Sequence, residues 1–374
     1  MLRIRVYRNG RVTNEKVKVD QLGWLAKDQN ATIWVDLDSP DPETIEALRD
    51  QLGFHKLAVE DVLGARQRPK LETYGDRFFL NAYATEVRAV REDGEPREAC
   101  EDGESRKNAG AASPSALGRG PDEDAGEDPD GDPGQAADLR LRTTEVSAFI
   151  TDNMVVVVPG GGGFDAEEVL TRADQNADIC HRGSGFLVYS LLDYLVDRQL
   201  EAAEALDGSA DDLGSLLFAR RPQDIQLRSF RLHKELTVLR RVLVPMREVL
   251  SAVLRHASAP QNAQGAVNTE LLPYFQDVYD HVLRAVDWTE SARDMVNNVL
   301  QTYLTIQSNN MNIIMKKVTS WAAIVAVPTA ITGFYGMNVP YPGVGTQWGV
   351  AVAVVVMLAL SVLLYTVFKR KNWL

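Results

Sequence analysis

The sequence predicts an α/β (or α+β) amino-terminal domain, then long helices forming a funnel, then a carboxy-terminal two-helix transmembrane hairpin. Three observations predict it. Strand-like alternation fills most of the first 160 residues outside one acidic stretch. The 54 residues from Tyr274 to Val327 contain neither Gly nor Pro. From Val318 to Phe368 there is no charged side chain.

The domain 1–164 comes first. "RIRVYRNGRVT" reads as a hairpin turning at Asn9-Gly10, a dipeptide that tolerates the left-handed backbone of a two-residue turn. "ATIWVDL" is a second strand, and "SPDPETIEALRDQLG" is a capped helix ending at Gly53. "FFLNAYATEV" is a further strand, and "TTEVSAFITDNMVVVVPG" resumes strand character after residue 138. Between them, residues 92–138 carry 15 acidic and 4 basic side chains, almost the whole excess behind the net charge of −12. Such a segment buries too little apolar surface to offset its ordering entropy, so it is expected to be a disordered insertion. The rest of the chain is near neutral, and no nucleic-acid partner is expected. Cys100 and Cys180 have no metal or disulfide spacing and read as free thiols of a reducing compartment. "MLRIRVYRNG" lacks the apolar core of a signal peptide, leaving membrane insertion to the carboxy-terminal segments.

Residues 165–317 form the helical stalk, with amphipathic runs over Phe186–Leu206 and Pro222–His256 before the long uninterrupted run. Pro273 suits the first turn of that last helix. It is expected to begin in water and to end within a membrane.

The spans 318–335 and 348–368 have the length a bilayer requires. A buried core hairpin would pass the same length test, but the flanks argue otherwise. Lys316 and Lys317 precede the first span, Lys369, Arg370 and Lys371 follow the second, and the connection 336–347 is uncharged. Both termini, including the tail 369–374, are therefore expected in the cytoplasm, with the short loop outside. The protein is expected in the cytoplasmic membrane.

The second span is apolar all round. The first carries a stripe at alternating three- and four-residue spacing: Asn312, Met315, Thr319, Ala322, Ala326, Thr329 and Gly333, each polar, small or flexible. The same spacing continues backward through Ser308, Gln301, Asp294, Asp287 and Asp280 to Asp277 without an aliphatic residue. Small residues on a membrane helix also simply permit close packing, and a polar stripe in water is usually a solvated face. Continuity across the boundary favours a pore-lining helix. One hairpin cannot enclose a pore, so this reading demands an oligomer around an axis. At the outer mouth, "YGMN" then supplies Gly336, where the chain leaves the helix without a side-chain clash, Met337, and the neutral carbonyl of Asn338. A ring of such carbonyls could hold hydrated magnesium, which gives up its inner waters reluctantly, without trapping it.

The Tyr335-Gly336-Met337-Asn338 signature at the end of the first of two spans, the closing "KRKNWL", and "LAVEDVLGARQRPKLETY", "YSLLDYLVD", "LVPMREVLS" and "PYFQDVYDH" together resemble the CorA-type magnesium channels. The resemblance covers most of the chain except the acidic insertion. It implies a homopentameric membrane protein with a cytosolic funnel and transported as well as regulatory magnesium; no enzymatic activity is expected, because the sequence offers no nucleophile–base arrangement and no nucleotide site. It further implies an outer ion-binding ring at Gly336, Met337 and Asn338, and a cytoplasmic constriction at Asn312, Met315 and Val318. Thr329 and Gly333 would line the pore above, and Asp277 would bind regulatory magnesium between subunits, with Glu86 as the candidate partner. Departures from the family are an outer loop without acids, Gln301 in place of an acid, and Ala326 in place of a bulky apolar residue. A zinc-transporting branch shares the tripeptide, so zinc, cobalt or nickel transport, with or without proton coupling, stays open. So does a non-conducting metal-sensing scaffold.

Asp277, Asp280 and His281 could chelate a softer metal, although a solvated charged face is the plainer reading. The glycines of "VVVVPGGGGF" lack the Lys and Ser/Thr of a phosphate loop.

Overall fold

The computed structural model describes residues 2–8, 11–13, 21–28, 30–38, 40–64, 67–90, 138–175, 183–217, 223–258, 269–337, 343 and 345–373. The chain divides into two units, Met1–Asn297 and Asn298–Leu374.

The first unit is built on a seven-stranded mixed sheet. β1 (Leu2–Arg8) and β2 (Arg11–Thr13) pair antiparallel with Arg8 opposite Arg11. That spacing fits the expected two-residue hairpin, whose Asn9 and Gly10 lie outside the described residues. Then follow α1 (Leu22–Leu25), β3 (Ala31–Leu37), α2 (Pro42–Leu52), α3 (Lys56–Leu63), β4 (Lys70–Tyr74), β5 (Arg77–Val90), β6 (Asp138–Ile150) and β7 (Met154–Pro159). The sheet order is β2-β1-β3-β7-β6-β5-β4. Only β3 and β7 pair in parallel. Both are buried along their whole length, as central strands covered on two faces must be. The acidic stretch before Asp138 joins β5 to β6, and its residues 91–137 lie outside the described residues, as do Cys100 and Cys180.

One face of the sheet packs Val6, Ile33, Val35, Phe79, Phe149 and Val156 against Leu22, Ile45, Leu48 and Val59 of α1–α3. Gly53 ends α2 at φ +67°, a conformation costly to any residue with a Cβ, while the Arg77 guanidinium donates to the Leu52 carbonyl at 2.7 Å and to that of Gly53. On the other face lie α4 (Ala166–Gln175) and α5 (Gly185–Leu216), where the Phe186 ring meets Tyr7 edge-on and Gln199 Nε2 donates to the Tyr83 carbonyl. α5 runs ten residues past the expected end at Leu206, because Leu206, Ala210 and Leu213 keep its inner face buried through Gly208. α6 (Gln223–Ala257) packs beside it with Pro245 inside the helix.

After the 3-10 turn Thr269–Leu271, α7 (Leu272–Tyr335) runs for 64 residues. Up to Asn297 it buries Phe275, Val278, Val282, Ala285, Ala292 and Val296, at helical spacing, within the first unit. Tyr189 of α5 meets the Tyr274 and Phe275 rings, and Glu290 lies 3.7 Å from Arg240 of α6. In the second unit α7 continues through Pro328, which cannot donate to the Ile324 carbonyl. The Thr329 and Thr332 hydroxyls donate to the Val325 and Pro328 carbonyls at 3.0 and 2.9 Å, bonding back to their own helix four residues earlier. α8 (Gln347–Arg370) closes the chain.

Candidate ion pathway

α7 presents two different faces in the first unit. Opposite its buried stripe, Asp277, Asp280, Arg284, Asp287, Ser291 and Asp294 are all exposed. The four acids there have no ion-pair partner among the described residues. Asp277 also contributes, behind burial and Asp193, to raising the Tyr189 phenol. His281 does not join Asp277 and Asp280: its Nδ1 faces Asp197 of α5 at 3.3 Å. No group of three or more His, Cys, Asp or Glu able to hold a metal exists among the described residues, so the soft-metal trio suggested by spacing is not assembled within one chain. Helical periodicity cannot tell which side of a residue a neighbouring helix will occupy.

In the second unit Asn312, Met315, Val318, Thr319, Ala322, Ala326, Thr329 and Gly333 are all exposed. So are aliphatic residues such as Ile313 and Val325, as expected of helices long and apolar enough to cross a membrane. The Thr329 hydroxyl spends its proton on the Val325 carbonyl, which leaves its oxygen as an acceptor. That polarity suits a hydrated cation, whose waters direct their hydrogens outward. Lys316, Lys317, Lys369, Arg370 and Lys371 are exposed as well.

At the end of α7 the Gly336 and Met337 amides donate to the Thr332 and Phe334 carbonyls at 2.9 and 3.2 Å, turning the chain out of the helix. A Cβ on Gly336 would stand 3.1 Å from the Thr332 oxygen, a tight contact that would have to relax by a few tenths of an ångström. Met337 is exposed, and Asn338 lies outside the described residues. The loop re-enters α8 through Thr346, whose amide and hydroxyl both donate to the Gly343 carbonyl.

Glu86 lines a cleft of about 640 Å³ with Asp165, Glu168, Tyr194, Arg198 and Glu201. Arg88, on the same strand, grips Glu86 through two hydrogen bonds of 2.8 and 2.9 Å. No hydrogen bond or ion pair joins Glu86 to Asp277 within the chain. Behind the cleft, Arg172 binds Asp193 and Asp197 at 3.2 and 2.6 Å, tying α4 to α5. Burial raises the Asp193 carboxyl, assisted by Asp197 and opposed by Arg172. Asp165, Glu168, Asp193, Asp197 and Glu201 escaped notice in the sequence, because only folding brings α4, α5 and β5 together.

A mixed-sheet α/β unit whose last helix continues as the first of two helices long and apolar enough to cross a membrane defines the class: a two-span membrane protein. The chain belongs to the family of CorA-like Mg2+ transporter proteins, whose model matches residues 29–97 and 133–370. It is thus a divalent-metal transporter of that family. The cobalt/magnesium transport protein CorA of Thermotoga maritima is 28% identical over 351 residues, covering 93% of this chain and 85% of its own. The putative metal ion transporter YfjQ of Bacillus subtilis is 26% identical, covering 96% and 92%. Among solved structures, the complete CorA magnesium transporter of Methanocaldococcus jannaschii aligns with a TM-score of 0.66 at 18% identity, over 99% of this chain and 98% of that one. The full-length CmaX protein aligns at 0.61 and 18% identity, over 99% and 97%. These two show the shared fold.

Proposed function

We propose that the protein is a homopentameric magnesium channel of the cytoplasmic membrane, with both termini in the cytoplasm and the α7 helices around a central pore. The observation that carries this reading is a stripe at three- and four-residue spacing that winds slowly round α7, acidic or otherwise polar from Asp277 to Gln301 and polar, small or flexible from Asn312 to Gly333. Asn312, Met315 and Val318 form the cytoplasmic constriction. Thr319, Ala322, Ala326, Thr329 and Gly333 line the path above it. Gly336, Met337 and Asn338 form the outer ring, where neutral oxygens accept hydrogen bonds from the hydrated ion and bind it weakly enough to release it. The membrane potential drives uptake, at ~2.3 kcal/mol per elementary charge per 100 mV.

Cytosolic magnesium acts as its own regulator by bridging Asp277 to a carboxylate of the adjoining subunit, with Glu86 as candidate. Ion bridges hold facing acids together and favour the closed state, and loss of magnesium releases them. Arg88 competes for Glu86 and weakens that end of the bridge.

The test is magnesium uptake into proteoliposomes under an inside-negative potential, for the parent and for Asn338→Ala. Flux that disappears in the variant, with the oligomer intact, is the expected outcome. Zinc, cobalt, nickel and proton-gradient arms run in parallel. Zinc flux that follows the proton gradient without magnesium flux would replace this reading with a zinc transporter. No flux of any cation from intact oligomers would replace it with a metal-sensing scaffold.

A further inference from the structure

The 80 residues from Met295 to Leu374 contain no Asp or Glu, yet they carry Lys316, Lys317, Lys369, Arg370 and Lys371. The last three are consecutive, exposed, and make no ion pair among the described residues. Their backbone is folded in a definite way. Lys371 N donates to the Val367 carbonyl at 3.1 Å, Asn372 N to that of Lys369 at 3.3 Å, and Trp373 N to that of Phe368 at 3.0 Å. Asn372 takes φ +54°, the left-handed conformation that reverses a chain after a helix and that Asn tolerates.

The reversal lays the Trp373 ring parallel to that of Phe368, with centroids 5.8 Å apart and planes 8° apart. Half-buried against each other, these rings keep the tail against the last turn of α8. One turn earlier the Lys369 ammonium stands over the Tyr365 ring, 5.8 Å from its centre. The result is a compact end to an apolar helix, with aromatic rings at its base and three cations on its outside. Trp and Tyr favour the depth of lipid headgroups. The Arg guanidinium presents paired donors that match two oxygens of one phosphate.

We propose that the folded end of α8, Tyr365–Trp373, is a binding site for the phosphate of anionic phospholipids in the cytoplasmic leaflet. Lys369, Arg370 and Lys371 contact the headgroup, and the Phe368–Trp373 stack and Tyr365 position them at its depth. Charge complementarity selects this occupant: the segment has no acidic side chain of its own, whereas the leaflet around it presents phosphate at high density. The inference rests on the reading that α8 spans the membrane.

The test uses the full chain, stripped of lipid in neutral detergent, with phosphatidylglycerol, phosphatidylcholine or inorganic phosphate added back. Apparent thermal midpoint, oligomer mass and retained lipid by native mass spectrometry are read together. Phosphatidylglycerol should raise the midpoint of the parent by several degrees and be retained, while the other two additives should do neither. The triple variant Lys369→Gln, Arg370→Gln, Lys371→Gln should lose both responses yet match the parent's mass and lipid-free midpoint. The variant Lys369→Arg, Lys371→Arg should keep them, and Trp373→Ala should weaken retention. Equal retention by parent and triple variant would overturn the site. So would an equal midpoint rise with inorganic phosphate, which would mean a free-anion site, or collapse of the lipid-free oligomer in the triple variant, which would mean a subunit contact. A chain that stayed dispersed without detergent would instead overturn the membrane-spanning reading itself.

Discussion

Asp36 is an acid placed where a sheet would ordinarily hold an aliphatic residue. It is 4% exposed on β3, and its Oδ1 has no hydrogen-bond partner. Burial raises its pKa from 3.8 to about 6, with Arg3 on the neighbouring strand opposing and Asp38 adding slightly. Because the folded pKa is the higher one, the folded state binds the proton first as pH falls. The group's contribution to stability is therefore present below pH ~4 and is lost as pH rises through about 6. We expect Asp36→Asn to raise the apparent thermal midpoint at pH 7.5, by roughly 1–3 kcal/mol in stability, and to flatten its fall between pH 4 and 7. Thermal melts across that pH range check both. Gly53→Ala should destabilise by ~1 kcal/mol or more, because φ is +67° there and the new Cβ would press on the Arg77 guanidinium at 2.6 Å. Denaturant melts of parent and variant measure it. Gly53 was legible in the sequence as a helix terminator, whereas the burial of Asp36 was not: the alternation in "ATIWVDL" puts Asp36 on the side of Thr32 that a one-sided sheet would leave to water, and only the folded sheet shows β3 buried on both faces.

The helix α7 is one element in two environments. In the first unit, its stability depends on an apolar stripe centred on Phe275, which is fully buried against Tyr189. Phe275→Ala should therefore cost ~3–5 kcal/mol, read as a lowered unfolding midpoint, with cation selectivity unchanged in the proteoliposomes that remain intact. In the second unit, the same helix offers small residues on the face proposed for the pore. Gly333→Leu should suppress magnesium uptake while leaving oligomer mass unchanged. Ile324→Leu, half a turn round the helix from Gly333, should spare uptake. Comparable loss of flux in both variants would remove the assignment of the stripe. The long run without Gly or Pro made the helix legible from sequence, and Pro328 did not end it: α7 continues through it to Tyr335.

For the molecule as a whole, the proposed pore requires that five copies bring their acidic α7 faces together. Mass measurement in detergent should give five times 41.4 kDa for the protein part. Like charges on Asp277, Asp280, Asp287 and Asp294 would resist that arrangement, so divalent cations should protect the intact oligomer against protease. Asp277→Ala should shift that protection to higher magnesium concentration. Unchanged protection in Asp277→Ala would place the regulatory ion elsewhere.

The chain's own pattern announces what depends on local periodicity and on solvent. Two charge-free runs of bilayer length, their basic flanks, the unbroken helix before them and the polar stripe along it are all one-dimensional signals, because lipid sorts residues by polarity alone. The parallel β3–β7 pairing, the ion pairs of Arg172 across α4 and α5 and the turning of His281 toward Asp197 are not signals of that kind. Each joins side chains whose partner is chosen by the packing of separate elements, and no spacing along the chain encodes which of several nearby acids a given cation will reach.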